Sequence, residues 1–227
     1  MLPDQNPQIA GLELASYFAP ARTVGGDYYD FIPFSSHQLL LIMADVSGHG
    51  PSAALVMTLL KGVIRSIVSE FSISSEMMRK INGIISQIIP PEIFITLQLV
   101  FFDMQKKRLL YCNAGHNPPL FYRAEKQTCQ PVELHTCALN VLPDFAYSTL
   151  DFSIHTGDLI AAYTDGITEA TNSAGEMFGL KRLECVIRKA ADKNPSQIVR
   201  QILDSLHFFT NRNEQNDDCA LVVVKVN

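Results

Sequence analysis

The chain has 227 residues, of which 47% are hydrophobic and 18% charged, and its formal net charge is −5. This composition supports one sizeable hydrophobic core and excludes a disordered or fibrous protein. No basic run is long enough to neutralise a series of phosphates, so nucleic acid is not an expected partner. No apolar run approaches the roughly 20 residues of a membrane-spanning helix, so no membrane segment is expected in this chain.

The cysteines bear on the cellular compartment. There are five of them, an odd number, and they are widely spaced with no CxxC pair. This pattern argues against a disulfide framework and against a thiolate zinc site. We therefore expect a protein of the reducing cytoplasm.

Apolar runs rich in β-branched and aromatic residues predict at least eight strands. The turn-rich segment from Lys126 to Ser153 leaves room for more. The predicted strands are Leu12–Phe18, Tyr28–Ile32, Leu39–Ala44, Ile95–Phe102, Arg108–Ala114, Pro119–Tyr122, Asp158–Tyr163 and Ala220–Val226.

Two helical pairs interrupt the strands. Apolar residues at three-to-four spacing predict two helices between Pro51 and Ile89, and a second pair at Leu180–Ala191 and Pro195–Phe209, the latter with Asn194 as N-cap. This element order predicts an α+β layered sandwich with mostly antiparallel sheets. No repeat or Gly/Ser linker divides the chain, so residues 1–227 are expected to form a single domain, with residues 1–9 as the linker end of a longer parent chain.

Aspartates lie at four predicted strand junctions, most of them beside glycine. Taken singly, each is an ordinary turn sequence. If the four converged, carboxylates within about 4 Å would repel by about 4 kcal/mol per pair at an effective dielectric near 20, so a cluster would imply bound Mg²⁺ or Mn²⁺. The junctions are Gly25-Gly26-Asp27, Asp45-Val46-Ser47-Gly48-His49-Gly50, Thr164-Asp165-Gly166 and Asn216-Asp217-Asp218.

Six motifs follow one another along nearly the whole chain. They are residues 20–31 (PARTVGGDYYDF), 45–54 (DVSGHGPSAA), 113–119 (NAGHNPP), 157–170, 175–179 (GEMFG) and the closing Asp217-Asp218. In this order and spacing they resemble the motifs of bacterial PP2C-type (PPM) serine phosphatases. That family includes the sporulation phosphatase and the stress-response regulators of sigma-factor partner switching.

The resemblance implies a fold, an activity and a metal centre. The fold is a PP2C-like α-β-β-α sandwich, with two mostly antiparallel sheets flanked by helical pairs. The activity is hydrolysis of phosphoserine or phosphothreonine by water activated on two Mn²⁺ or Mg²⁺ ions. The catalytic residues, acting through the metals, are then Asp27, Asp45, Asp165 and Asp217, and the metal ligands are these four, the Val46 backbone carbonyl and, if Asp217 points away, Asp218.

Three further residues are considered for roles in catalysis. Arg22 corresponds to the position where relatives bind the substrate phosphate, although it also suits a surface strand end. His49 and His116 are not assigned as a general acid, because the family position for such a histidine is occupied here by Ser47. His116 is expected to organise a turn.

Two positions depart from the pattern of the family. Ala220 replaces a Thr or Ser whose hydroxyl would support Asp217, which predicts weaker metal binding. Asn140 replaces a glycine, but asparagine tolerates positive φ and is expected to preserve the turn.

Two alternative functions are compatible with parts of the sequence. Gly25-Gly26-Asp27 resembles the signature loop of diguanylate cyclases, but that function leaves Asp45, Asp165 and Asp217 without a role. A non-catalytic PP2C-fold binding or regulatory module is the other alternative, although every expected aspartate is present.

The resemblance also implies partners. The expected substrate is a phosphorylated STAS-type anti-sigma-factor antagonist in a signalling pathway. A homodimer and an N-terminal sensor or receiver domain in the parent protein are compatible with the family, and the helical pair within residues 51–89 resembles its regulatory switch element.

Overall fold

The computed structural model describes residues 2–21, 24–68, 75–134, 136–211 and 217–227. Its helices are α1 (Pro51–Ile67), α2 (Ser75–Ile85), α3 (Asp165–Thr168), α4 (Gly179–Ala190) and α5 (Pro195–Thr210). Its strands are β1 (Leu12–Ala19), β2 (Tyr28–Ser35), β3 (Gln38–Val46), β4 (Ile95–Asp103), β5 (Arg108–Ala114), β6 (Leu120–Arg123), β7 (Thr128–Pro131), β8 (Thr149–Ser153), β9 (Leu159–Tyr163) and β10 (Cys219–Val226).

Across the described ranges, the strands form two five-stranded sheets. The first sheet has the order β1-β10-β9-β6-β7 and the second has the order β2-β3-β4-β5-β8. All neighbouring strands are antiparallel. An apolar layer that includes Leu41, Met43 and Val222 is buried between the two sheets.

Each sheet packs a helical pair on its outer face. Leu60 of α1 and Ile81 of α2 are buried against residues of the second sheet, such as Ile42. Ile187 of α4 and Ile202 of α5 are buried in the same way against the first sheet. The layers therefore run helices, sheet, sheet, helices, which confirms the predicted α-β-β-α sandwich.

The helix starts follow from their sequences. Pro51 occupies the first turn of α1, where its missing N–H costs no helical hydrogen bond. Asn194 caps α5 as predicted, accepting from the backbone N–H of Gln197 in a capping box. The short strands β7 and β8 lie in the turn-rich segment from Lys126 to Ser153, where the sequence leaves room for further strands, whereas the sequence does not predict the single-turn helix α3.

Asn140 adopts φ 68°, so the predicted positive-φ turn is confirmed. The asparagine side chain also contributes, because its Nδ2 donates to the carbonyls of Pro90 and Ile93 at 2.9 and 2.7 Å. The buried Asn82 of α2 accepts from the Asn140 backbone N–H at 2.8 Å. A glycine could not make the two side-chain bonds, so asparagine here both adopts the turn and anchors it.

In the segment expected to be a linker end, Ile9 is buried and Asn6 accepts a hydrogen bond from the Ser16 hydroxyl at 2.9 Å. The five cysteines are all free. No described helix combines the length and the apolar character needed to cross a membrane.

Candidate functional site

The predicted aspartates meet at one end of the sandwich. Asp45 lies near the end of β3, and Asp27 immediately precedes β2, the antiparallel neighbour of β3. In the other sheet, Asp165 follows the end of β9, and Asp217 and Asp218 precede β10, its antiparallel neighbour. Both sheets therefore contribute carboxylates to the same edge.

A pair of glycines lets the backbone approach these groups. A Cβ on Gly25 would overlap the Asp218 carboxylate. A Cβ on Gly26 would lie 2.8 Å from the Val46 carbonyl oxygen and 3.5 Å from Asp45 Oδ1. Glycine is required at such close approaches. The same contacts place the Val46 carbonyl, a predicted ligand, beside the Asp45 carboxylate.

Asp27 and Asp45 are held where ionisation is unfavourable. Burial, followed by the charge of Asp45, raises the pKa of Asp27 to about 9, although a hydrogen bond from Thr164 opposes the shift. Burial, followed by the charges of Asp165 and Asp217, raises the pKa of Asp45 to about 7. A hydrogen bond between Asp27 and Asp45 partly offsets that rise. Burial and neighbouring carboxylates therefore favour the protonated form of both groups when no cation is present.

Asp165, Asp217 and Asp218 complete the acidic group. Burial, then the charges of Asp217 and Glu169, raises the pKa of Asp165. Asp217 is exposed, and its Oδ1 accepts from the Asp218 backbone N–H at 2.8 Å. Asp218 is buried, and its Oδ1 accepts from the Ala21 N–H at 2.9 Å. Asp217 thus lies among Asp45 and Asp165, and Asp218 braces the segment before Gly25.

The donor chemistry fits a hard divalent cation. Carboxylate and carbonyl oxygens are the ligands that Mg²⁺ and Mn²⁺ prefer, and a cation would stabilise the ionised carboxylates against the burial and mutual repulsion that raise these pKa values. The side chains are neighbours but do not form a complete coordination shell. Among the described residues, no three acidic, thiol or imidazole groups stand in a geometry that could hold a metal ion.

Thr164 is a site residue that the sequence analysis missed. Its hydroxyl donates to Asp27 Oδ2 at 2.6 Å and accepts from the Ala220 backbone N–H at 2.9 Å. The Ala220 side chain lies in the apolar layer between the sheets. Residue 220 therefore reaches the acidic group through its backbone, and the hydroxyl comes from Thr164. The signal was present in the Thr164-Asp165-Gly166 junction, where only the aspartate was given a role.

The other candidate residues are Ser47, His49, His116 and Arg22. Ser47 holds the β3–α1 loop, because its Oγ accepts from the Phe94 N–H at 3.0 Å. His49 is exposed in the same loop. His116 is buried, and its backbone N–H donates to Asn113 Oδ1, as a turn-organising residue would. Arg22, the predicted phosphate ligand, lies outside the described residues.

Comparison with known proteins identifies similar chains. Residues 35–227 match the family described as Stage II sporulation protein E (SpoIIE). The phosphoserine phosphatase RsbU of Bacillus subtilis is 27% identical over 219 residues, covering 96% of this chain and 64% of RsbU. The phosphoserine phosphatase RsbP of the same organism is 23% identical, covering 95% of this chain and 52% of RsbP. The chain thus spans less than two thirds of either relative.

Solved structures share the fold. The RsbU and RsbW domains of a Mycobacterium tuberculosis protein superpose with a TM-score of 0.81 at 24% identity, covering 97% of this chain and 61% of that one. The PP2C domain of Bacillus subtilis SpoIIE, with a fragment of its regulatory domain, gives 0.82 at 18% identity, covering 97% and 64%. The catalytic domain of the serine threonine phosphatase PstP, in complex with 2 manganese ions, gives 0.67 at 13% identity, covering 95% and 98%.

Proposed function

Because the chain belongs to the SpoIIE family of bacterial PP2C-type serine phosphatases, we propose that it is a metal-dependent protein serine/threonine phosphatase. The observation that carries this proposal is the meeting of Asp27, Asp45 and Asp165 at one edge, where burial and mutual charge raise all three pKa values. A folded protein tolerates such a group when a cation neutralises it. The relatives named phosphoserine phosphatases support the same activity.

Each residue has a distinct task in this proposal. Asp45, whose neighbours come from both sheets, and the adjacent Val46 carbonyl would hold the two Mn²⁺ or Mg²⁺ ions. Asp165 and Asp217 would contribute ligands to the second ion, and Asp27 would support the site directly or through water. Asp218, which accepts from the Ala21 N–H, fixes the neighbouring backbone and is the replacement ligand for Asp217. When bound, such ions supply a water of lowered pKa and neutralise phosphoryl oxygens.

Thr164 orients Asp27 through its 2.6 Å hydrogen bond. With one Asp27 oxygen occupied by the hydroxyl, the other oxygen is directed to a cation or to a bound water. Arg22 is proposed to bind the substrate phosphate, since a guanidinium pairs with phosphate in a bidentate manner. No cysteine nucleophile is needed, and burial raises the pKa of the nearby Cys219 thiol to about 12, which leaves it protonated.

The proposed substrate is a phosphorylated STAS-type anti-sigma-factor antagonist. Support comes from the family and from a structural neighbour that carries RsbU and RsbW domains together. Residues 1–227 are proposed to act as a single catalytic domain, in which both sheets contribute to one site. Regulation by an N-terminal sensor or receiver domain and a homodimeric state belong to the same proposal.

The activity is tested by phosphate release from p-nitrophenyl phosphate, with and without millimolar Mn²⁺ or Mg²⁺. The wild-type chain is compared with Asp165→Asn and with the matched control Asp204→Asn, whose side chain is 71% exposed on α5. We expect metal-dependent turnover in the wild type and the control and none in Asp165→Asn. Absence of turnover in a folded wild type that binds Mn²⁺ would favour the non-catalytic module, and equal turnover in all three proteins would contradict the proposed site.

A further inference from the structure

An amide side chain is completely buried on α2, the second helix of the pair that packs on the second sheet. Asn82 is 0% exposed, and the buried face of α2 is otherwise apolar. A buried amide costs free energy unless its polar atoms have hydrogen-bond partners, so its contacts show what the position does. Neither Asn82 nor its partner Asn140 has a task in the function proposed above.

The Asn82 side chain binds the turn at Asn140. Its Oδ1 accepts from the Asn140 backbone N–H at 2.8 Å. Its Nδ2 donates to the carbonyls of Leu142 and Pro143 at 2.9 and 3.0 Å. An asparagine amide has two N–H protons, so each of them has a carbonyl partner here. The helix α2 therefore holds this turn in one position.

The Asn140 side chain extends the connection to the segment that precedes β4. Its Nδ2 donates to the carbonyls of Pro90 and Ile93 at 2.9 and 2.7 Å. Apart from the half-buried Ile93, residues 90–94 are exposed. Apolar burial therefore contributes little to the placement of this segment, and its hydrogen bonds decide where it lies.

The first residue of β4 is paired with the same turn. The β4–β5 register ends at the Gln98–Asn113 pair. Leu139 takes the place of β5 at Ile95: the Leu139 N–H donates to the Ile95 carbonyl at 2.8 Å, and the Ile95 N–H donates to the Leu139 carbonyl at 3.3 Å. Ile95 thus lies between Leu139 on one side and Val46 of β3 on the other.

On the β3 side, the segment before β4 contacts the loop that follows the proposed metal ligands. The Ser47 backbone N–H donates to the Phe94 carbonyl at 3.0 Å. The Phe94 backbone N–H donates in turn to Ser47 Oγ, also at 3.0 Å. Ser47 comes directly after Asp45 and Val46 in the chain. A shift of residues 90–94 would therefore move the backbone next to both ligands.

We propose that Asn82 and Asn140 are positioning residues that hold the loop after β3, and with it the ligands Asp45 and Val46, in place. This inference rests on the proposed function. The route is continuous: Asn82 holds the turn at Asn140, the Asn140 side chain holds residues 90–94, and Phe94 pairs with Ser47. Hydrogen bonds have strict distance and angle requirements, so they can fix an exposed segment that packing leaves undetermined.

A purely structural role would have a different consequence. If Asn82 served only to satisfy the carbonyls of Leu142 and Pro143, its loss would lower the unfolding free energy and leave the loop at Ser47 unchanged. The positioning role predicts that the effect reaches the Ser47 amide and the bound ion. Amide hydrogen exchange separates the two roles, because the Ser47 N–H is itself bonded to the segment before β4.

The test uses Asn140→Gly, which suits the positive-φ turn and removes the two side-chain hydrogen bonds. The matched control is Asn211→Gly, at an exposed asparagine with φ 54° that ends α5. Asn82→Leu removes the connection at its helix end with an apolar side chain of similar size. For each protein we would measure Ser47 amide exchange without metal by NMR, with Val222 of β10 as the reference for global unfolding. The Mn²⁺ dissociation constant and the turnover of p-nitrophenyl phosphate at increasing Mn²⁺ complete the set.

We expect Asn140→Gly to speed exchange of the Ser47 amide by about 10-fold relative to Val222, the scale of one or two lost hydrogen bonds. Mn²⁺ binding should weaken by about 10-fold, within the range for residues that act on a site through a chain of contacts. Saturating Mn²⁺ should restore turnover, because neither asparagine touches the reacting groups. Asn82→Leu should act in the same direction. Asn211→Gly should match the wild type in all three measurements.

Either wild-type Ser47 exchange or wild-type Mn²⁺ affinity in Asn140→Gly would overturn the positioning role, whatever the loss of stability, and would leave the proposed function intact. Equal weakening by Asn211→Gly would also overturn it, since the effect would then come from glycine itself. If Asn82→Leu fails to fold, Asn140→Gly decides, because glycine adopts the positive φ of the turn. A wild type that neither binds Mn²⁺ nor hydrolyses phosphate would overturn the proposed function and, with it, this role.

Discussion

Two buried aspartates three residues apart, Asp27 and Asp30, lie in opposite electrostatic settings. Asp30 is 2% exposed, and its Oδ2 accepts from Arg65 Nε at 2.9 Å, from Arg65 Nη2 at 2.7 Å and from the Tyr28 hydroxyl at 2.7 Å. Lys61 adds a second cation at 3.7 Å. Asp27 is 4% exposed, and its neighbours are a hydroxyl and other carboxylates. Within the described ranges, no ion pair joins Asp27 to a basic side chain.

The difference separates a structural acid from a functional one. A buried carboxylate with its own guanidinium is satisfied within the fold, and here the pair fastens α1 to β2. A buried carboxylate among other acids is satisfied only by a proton or by a cation from outside. The contrast within one short motif, Asp27-Tyr28-Tyr29-Asp30, shows that the same residue type serves both purposes.

The largest expected effect is on turnover, and it comes from removing a carboxylate of the acidic site. Asp45→Asn should lower turnover with Mn²⁺ by more than about 100-fold, beyond the range typical of an outer partner. Without metal, the same variant should be more stable than the wild type, because it removes repulsion at a site whose pKa burial and neighbouring acids raise to about 7. Phosphatase assays and urea unfolding in EDTA measure the two effects, and a metal-free variant less stable than the wild type would contradict the comparison.

Removing a basic partner of Asp30 should have the opposite effect, a loss of stability. Arg65→Met leaves Asp30 buried without its main partner and should cost about 1–3 kcal/mol of unfolding free energy, below the usual value for a fully buried pair, because the Arg65 side chain is 47% exposed. Lys61→Met should cost less, since Lys61 is farther from Asp30. Urea unfolding of both variants tests the ranking. Equal stability of Arg65→Met and the wild type would show that the pair does not fasten the helix.

The pH dependence of stability sharpens the contrast further. The pKa values of Asp45 (about 7) and Asp27 (about 9) are raised by burial and neighbouring acids, so the native state retains protons that the unfolded chain has released. Their contribution to stability is therefore complete below about pH 4, the usual carboxyl range, and is lost as the pH rises through 7 toward 9. Urea unfolding of the metal-free wild type from pH 5 to 9 should show this loss of unfolding free energy. The free energy should fall less steeply with pH in metal-free Asp45→Asn, and also in the wild type saturated with Mn²⁺. A slope unchanged by the substitution would assign the pH dependence to other groups.

The smallest effect is expected at the hydroxyl that orients Asp27. Thr164→Val should weaken Mn²⁺ binding by about 10-fold, because it leaves Asp27 and the Ala220 N–H without their shared partner. Thr164→Ser preserves the hydroxyl and should bind as the wild type does. Calorimetric titration of the three proteins gives the answer, and equal affinity of the valine variant would remove Thr164 from the site.

Much of the fold could be predicted from the sequence. The long strands and the two helical pairs have clear periodicity, and Asn194 carries its own capping signal. The edge strands β7 and β8 lacked that signal, because they are four and five residues long with much of their length exposed or half-buried. The helix α3 is a single turn of four residues, too short for any helical period.

The sequence by itself determined which residues were available to the site: aspartates at strand ends beside glycine, in motifs that resemble one family. Only the tertiary structure decided which of these aspartates lie without a basic side chain beside them, since the contacts that surround each carboxylate join distant parts of the chain. The Thr164 hydroxyl bonds Asp27 across 137 residues, and Asp218 accepts from the Ala21 N–H across 197 residues. Local patterns determine period and turn, whereas desolvation and charge depend on what surrounds a group in space, and that is fixed only when the two sheets pack.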